Sequence, residues 1–347
     1  MQRRTFCRGL LAAGSALLAG PRVAYAADSV PAASSLTVDF HSHAWRRFDF
    51  AADLRRGGPN VVVMVATSDR LLLNRDSGRP RALGTVAPGA LYANTLEQLA
   101  VIRQAVERDD LTAISMSADA VRARDAGKPG VLVGCEGGDV LEGNLERLQE
   151  LHGAGVRLIQ LVHYRVNELG DIQTEDPVHN GLSPFGADVV RGCNRLGIVV
   201  DVAHATLEAT RQVAKITTRP LLLSHTFLRD RPRRYTRGIM REHALVVKET
   251  GGVIGVVPFP SVFFALHDYI EGIARMADAV GVEHVGIGGD LAGIPGAPPY
   301  RRFEQFPELL HMLQGRGFSS EDVAKIAGAN FMRLFGAVSD LARTGDA

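Results

Sequence analysis

The sequence predicts an α/β fold, a single (β/α)8 barrel of the TIM type. Two observations carry that prediction. Eight short apolar runs read as strands, and several are continuous and β-branched, such as Val61-Val62-Val63-Met64-Val65 and Ile198-Val199-Val200, the pattern of parallel strands buried on both faces. Stretches with helical spacing of apolar residues separate them. Strand alternating with helix in one domain of this length points to a closed barrel, with a doubly wound open sheet as the competitor. The chain has 347 residues, 46% of them hydrophobic, and a formal net charge of +1. That suffices for one large core and is too balanced for a nucleic-acid-binding surface.

The first 26 residues stand apart. Arg3-Arg4-Thr5-Phe6 is a twin-arginine pattern, the stretch 10–20 is apolar, and Ala24-Tyr25-Ala26 reads as a cleavage site. The apolar stretch is too short to span a bilayer, and no Cys stands at the cleavage site to carry a lipid. The expectation is a signal peptide handled by the twin-arginine export machinery, and a periplasmic or secreted product without stable membrane insertion. That machinery carries folded proteins, which suits a metal site loaded before transport. Cys7 leaves with the signal, whereas Cys135 and Cys193 lie in apolar segments without metal-like spacing. They read as buried free thiols, with a disulfide between them the alternative in an oxidising compartment.

Residues 27–35 read as a linker and 36–347 as the single catalytic domain. The expected strands are 36–40, 61–66, 131–135, 157–162, 198–203, 221–224, 252–257 and 284–288. The expected helices begin with 95–106, where Leu96, Leu99, Ile102 and Val106 share a face. They continue with 141–154, 184–196, 207–214, 241–250, 266–280, 307–313 and 320–329. Ser183-Pro184 places Pro at a first helical position, and Ser320-Glu321-Asp322 puts acids in a first turn. The polar segment 67–94, with Gly78, Pro80, Pro88 and Gly89, is expected to form a loop over the mouth of the barrel.

Active sites of such barrels lie at the C-terminal ends of the strands. His41 and His43 end the first run, and alternation along a strand aims residues i and i+2 the same way. Glu136 follows the third run, His163 the fourth, His204 the fifth, His225 the sixth and Asp290 the eighth. Each has a bland reading: a hydrogen-bonded core histidine, a helix-capping acid, a loop carboxylate accepting backbone N–H groups. As a set these readings require coincidences at strand ends, while His152, His243, His267 and His311 scatter among helix stretches. Nitrogen and carboxylate ligands without thiolate suit zinc or a similar divalent ion at a site with an open position. His41, His43, Glu136, His204 and His225 could hold two ions bridged by Glu136 and a hydroxide, about 3.5–4 Å apart. Asp290 would then take a proton from water and return it to a leaving amine, and His163 is assigned to substrate.

The stretches Glu136-Gly137-Gly138, Gly181-Leu182-Ser183-Pro184-Phe185-Gly186, Asn194-Arg195-Leu196-Gly197, Asp201-Val202-Ala203-His204, Ser224-His225, Gly286-Ile287-Gly288-Gly289-Asp290 and Gly328-Ala329-Asn330-Phe331 together resemble the membrane (renal-type) dipeptidases, peptidase family M19. The resemblance covers about Thr37 to Phe335. It implies a metal-dependent hydrolase barrel with two zinc ions that cleaves dipeptides, including those with a C-terminal D-residue. It further implies Glu136 as the bridging carboxylate, His204 and His225 as second-zinc ligands, His163 as a substrate-binding histidine and Asp290 as the acid/base. The family's carboxylate-binding arginine follows the second zinc histidine; Arg233-Arg234 fills that stretch, with Arg234 favoured.

The chain departs from the family pattern at His43, where an acid is usual, at Ala292, and in the Asn167-Glu168-Leu169-Gly170-Asp171 loop. These departures touch substrate fit. The alternatives are a binuclear hydrolase of another amide, lactone or ester, and a non-hydrolytic periplasmic maturation or peptide-binding protein. No Lys occurs in 157–163 to serve as a carboxylated bridge, which favours the Glu136-bridged arrangement. A homodimer is compatible with the sequence.

Overall fold

The computed structural model describes residues 35–47, 49–74, 80–234 and 236–340. The expected signal peptide and the linker through residue 34 lie outside the described residues. Eight parallel strands form the barrel: β1 (Val38–Ser42), β2 (Val61–Thr67), β3 (Gly130–Glu136), β4 (Val156–Gln160), β5 (Val199–Asp201), β6 (Leu222–Thr226), β7 (Val253–Val256) and β8 (Val285–Ile287), each bonded to the next in that order. The circle closes where Ser42 pairs with Leu291 and the Asp290 N–H donates to the His41 carbonyl at 2.8 Å. A closed parallel sheet leaves no exposed edge and needs a covering layer outside, which the intervening helices supply.

Alternation along the strands builds two apolar layers. Val62, Met64 and Ala66 of β2 and Val131, Val133 and Cys135 of β3 pack with Leu99 and Ile102 of the helix Ala90–Arg108. Val61, Val63 and Val65 instead join Phe40, Leu132, Leu158, Val199, Leu222 and Val253. The same cluster takes in Phe331, Leu334 and Phe335 from the helix Asn330–Ser339, which closes the lower end. Fully burying each such side chain contributes about 1.5–3 kcal/mol.

Three local expectations change. The helix expected to stop at residue 329 runs on through a wide turn at Lys325–Ala329 into Asn330–Ser339. Gly328 allows this, because a Cβ there would lie 2.5 Å from the Leu36 carbonyl oxygen. A short strand, Thr112–Ile114, and a helix, Ser117–Asp125, lie between the first expected helix and the third expected strand, where the apolar pattern predicts no element. Segment 67–94 is not all loop: Leu73–Asn74 pairs antiparallel with Arg81–Ala82, and the helix begins at Ala90. The expected cover over the mouth survives in part, since Pro80 lines the pocket there. Cys135 and Cys193 are both buried and free. Among the described residues, no helix is long and apolar enough to cross a membrane.

Two register shifts prepare the site. Asp39 to Ser42 of β1 spans one more residue than its partner segment Val62 to Met64, and Leu223 to Thr226 of β6 one more than Ile254 to Val256. Each is an extra residue in a strand, a bulge that locally re-aims side chains. On β1 strict alternation would send His41 with Asp39. Instead Asp39 reaches the Gly289 N–H at 2.8 Å and the Tyr300 hydroxyl, while His41 turns to Glu136. On β6 the bulge brings the Ser224 carbonyl so close to β7 and β8 that only glycine fits opposite. A Cβ at Gly255 or Gly288 would lie 1.9 or 2.0 Å from that oxygen.

Candidate active site

Glu136, the last residue of β3, is the centre of the site. Its carboxylate is buried and faces five imidazoles. Oε1 lies 3.3 Å from His41 Nε2, 3.3 Å from His163 Nε2, 3.7 Å from His225 Nε2 and 3.8 Å from His204 Nε2. Oε2 lies 3.2 Å from His43 Nε2. Asp290 approaches from the loop after β8, with Oδ1 3.6 Å from His43 Nε2 and 4.0 Å from His41 Nε2. The structure thus brings together His41, His43, Glu136, His163, His204, His225 and Asp290, although they come from six strand ends.

Their backbones are constrained. His204 and Asp290 adopt positive φ of 68° and 45°, a left-handed conformation that costs of order 1–3 kcal/mol at a non-glycine residue. Strain of that size persists only where surrounding contacts impose it. Second partners hold the imidazoles: the Ser224 hydroxyl is 2.8 Å from His225 Nδ1 and 3.4 Å from His41 Nδ1. Asp201 accepts the N–H groups of Ala203 and Ser224, steadying the ends of β5 and β6.

Burial dominates the electrostatics, and charge decides its sign at several groups. Burial works against the charged form of Glu136, but His163, His43 and His41 outweigh it and hold the carboxyl well below its usual range. Burial likewise disfavours the imidazolium of His41, yet Glu136 and Asp290 leave its pKa raised. Burial carries His43 down to about 4 and pushes His204 and His225 well below the ordinary histidine value, helped at the latter two by Arg237. It lifts Asp290 to about 6. His43, His204 and His225 are thus held toward the neutral form beside an ionised carboxylate, the state in which such groups donate lone pairs to a cation.

The donor set fits one or more divalent ions. Three groups each place their ligand atoms within 4.8 Å of one another: His41, Glu136 and His225; His41, His43 and Asp290; and Glu136, His163 and His204. Among the described residues, His41 Nε2 and Asp290 Oδ1 are buried and find no hydrogen-bond partner, the condition of atoms that serve a bound ion.

The pocket above this centre has two further features. Arg237 lines it, is only 9% exposed, donates from Nη1 to Gln173 Oε1 at 3.0 Å, and reaches the His225 carbonyl at 3.4 Å. Val257, Phe259, Ile294 and Pro295 supply an apolar wall. Arg233 and Arg234, expected in this role, do not line the pocket. Both are exposed, and Arg234 pairs with Asp176 at 2.5 Å on the outer surface. The reason is the path of the chain: Ile239 donates to the Phe227 carbonyl and accepts from the Arg229 N–H, so the loop doubles back beside β6. Residues 233–234 fall on its outer bend and Arg237 on its inner return.

Asp69 was also missed; its Oδ1 lies 2.8 Å from His163 Nδ1. The 167–171 loop is tied internally, through Asn167 to Asp139 and through Asp171 to the N–H groups of Val178, His179 and Gly181.

Comparison with known proteins places this geometry. The model of the family "Membrane dipeptidase (Peptidase family M19)" matches residues 67–347. Dipeptidase aclJ of Aspergillus oryzae is 28% identical over 273 residues, covering 74% of this chain and 64% of that protein. An uncharacterized dipeptidase of Schizosaccharomyces pombe is 33% identical over 223 residues, covering 60% and 53%. The chain therefore spans between about half and two thirds of the length of the curated relatives it matches. Among solved structures, the probable dipeptidase PvdM of Pseudomonas aeruginosa superposes with a TM-score of 0.76 at 19% identity, covering 88% of this chain and 96% of that one. A metallo peptidase of Rhodobacter sphaeroides, liganded with a phosphinate mimic of the dipeptide L-Ala-D-Ala, superposes with a TM-score of 0.75 at 17% identity, covering 90% and 100%. At these identities the two structures establish a common fold.

Proposed function

Since the chain belongs to the membrane dipeptidase family, peptidase family M19, we propose that it is a metal-dependent dipeptidase. The observation that carries the reading is the convergence of five imidazoles and Asp290 on the buried carboxylate of Glu136, beneath a buried guanidinium. His41, His43, Glu136, His204 and His225 would hold the metal, taken as two zinc or similar divalent ions. A divalent ion in such a site polarises a carbonyl and brings the pKa of water toward about 7.

The remaining steps belong to the chain's own groups. Asp290, at the pocket wall, accepts the proton of the attacking water and delivers it to the leaving amine. Burial works against a charged His163, but Asp69 and Glu136 outweigh it and hold its pKa above the ordinary histidine value, so it turns a protonated Nε2 toward the scissile carbonyl oxygen and stabilises the charge that develops there. Arg237 takes the C-terminal carboxylate in place of Arg234 or Arg233: it is held by Gln173, lines the pocket, and is desolvated enough to make a strong charge-assisted bond. The wall of Val257, Phe259, Ile294 and Pro295 accommodates apolar side chains. A C-terminal D-residue and export through the twin-arginine machinery to the periplasm or beyond are part of the same proposal.

The test is metal analysis of purified protein with a hydrolysis panel of L-L and L-D dipeptides, lactones and phosphotriesters. Dipeptides should be the best substrates, with activity proportional to bound metal. Faster turnover of a lactone than of every dipeptide would overturn the assignment.

A further inference from the structure

Asp69 sits two residues beyond Thr67, the end of β2, and is fully buried. Its Oδ1 lies 2.8 Å from His163 Nδ1, and its Oδ2 accepts the Tyr164 N–H at 3.1 Å. The segment carrying it is anchored in turn. The Ser68 N–H donates to the Glu136 carbonyl at 2.8 Å, and the Asp69 carbonyl accepts from the Leu72 N–H at 2.9 Å. The nearby acid Asp139 has its own partners in Arg165 at 2.9 Å and Asn167 at 3.0 Å, which leaves the Asp69 carboxylate to the imidazole.

A carboxylate accepts and does not donate, so the ring nitrogen facing it carries a proton. With Nδ1 committed to Asp69, Nε2 is the ring atom turned into the pocket, 3.3 Å from Glu136 Oε1. We propose that Asp69 is the positioning residue of His163, fixing from the end of β2 which nitrogen the histidine presents to substrate and how its ring is rotated. The inference rests on the dipeptidase reading above for the role of His163. The ordinary alternative is an acid that merely anchors the loop after β4.

Two measurements on the zinc-loaded protein separate these roles. The first is kinetic. Asp69→Ala should lower kcat about 10–100-fold, the usual cost of losing a group that orients a functional histidine, with KM little changed and metal content equal to wild type. In a His163→Ala background, Asp69→Ala should cost nothing more. Equal losses in both backgrounds, or a kcat within about twofold of wild type, overturn the proposal. The second is independent of any substrate. Proton NMR of histidine-labelled protein should show a downfield Nδ1 proton that is absent from both His163→Ala and Asp69→Ala. A wild-type spectrum without that proton also overturns the proposal. Should Asp69→Ala not fold, Asp69→Asn takes its place in both experiments. It keeps the shape but offers only one acceptor oxygen to two donors, so partial loss is expected. If no dipeptide is cleaved while the Nδ1 proton behaves as expected, the dipeptidase assignment fails and the Asp69–His163 arrangement stands.

Discussion

The same strands line the lower and upper parts of the barrel, and the two regions follow opposite rules. Below, Phe40, Val63, Leu132, Leu158, Val199, Leu222 and Val253 pack with Phe331 and Phe335 in plain alternation, and every one is buried. Above, a few residues further along, His41, His43, Glu136, His163, His204, His225 and Asp290 crowd together equally buried or nearly so. There the alternation is broken by bulges in β1 and β6 and by left-handed backbone at His204 and Asp290. The lower region stabilises by removing apolar surface from water. The upper one gathers desolvated ionisable groups at a cost that a bound cation would offset. Stability is thus concentrated at one end and chemistry at the other.

Substitutions should therefore have opposite signatures at the two ends. The largest expected effect on activity is at Glu136. Glu136→Gln should abolish both metal binding and turnover, because every ligand group is arranged about that carboxylate; metal analysis and kinetics on the same sample check it. Asp290→Asn comes next, with metal content retained and kcat reduced about 10²–10⁴-fold, the range of a lost general acid–base. Retention of near-normal kcat would remove Asp290 from the mechanism. Arg237→Met should lower kcat/KM about 10–100-fold, mainly through KM, as expected for losing a charged hydrogen bond of about 1.5–3 kcal/mol. Arg234→Ala should change it less than about twofold, and the reverse ranking would return the carboxylate to the outer bend. The smallest effect on activity is at the lower end. Phe40→Ala should cost about 3–5 kcal/mol of stability, measured by denaturant unfolding, yet leave metal stoichiometry and kcat of the folded protein near wild type. A chelator should do the converse, eliminating turnover while leaving the lower core folded by near-ultraviolet circular dichroism.

How legible each part was follows from how local its cause is. The strand at Val61–Thr67 declares itself by an unbroken β-branched run, and the placement of Glu136 directly after such a run already put it at the mouth. The helix Pro184–Leu196 was announced by its Ser183 cap and ends at Gly197 in the left-handed region. Arg237 was not legible, because its inward position depends on backbone bonds between Ile239 and residues 227 and 229. Asp69 was hidden for the same reason: nothing within its own segment shows that His163, 94 residues away, will sit against it.

By itself the sequence determined the alternation of strand and helix, the single barrel, and the set of ionisable residues at strand ends, since these follow from periodicity and from which residue types tolerate burial. Only the tertiary structure decided the closure of β1 against the chain after β8, the bulges that turn His41 and His225 inward, and the choice of Arg237 and Asp69 as partners of the pocket. Those features arise from register and loop contacts between segments far apart in the chain. Such contacts have no local pattern, and they form only when the barrel closes and each buried polar group must find its partner.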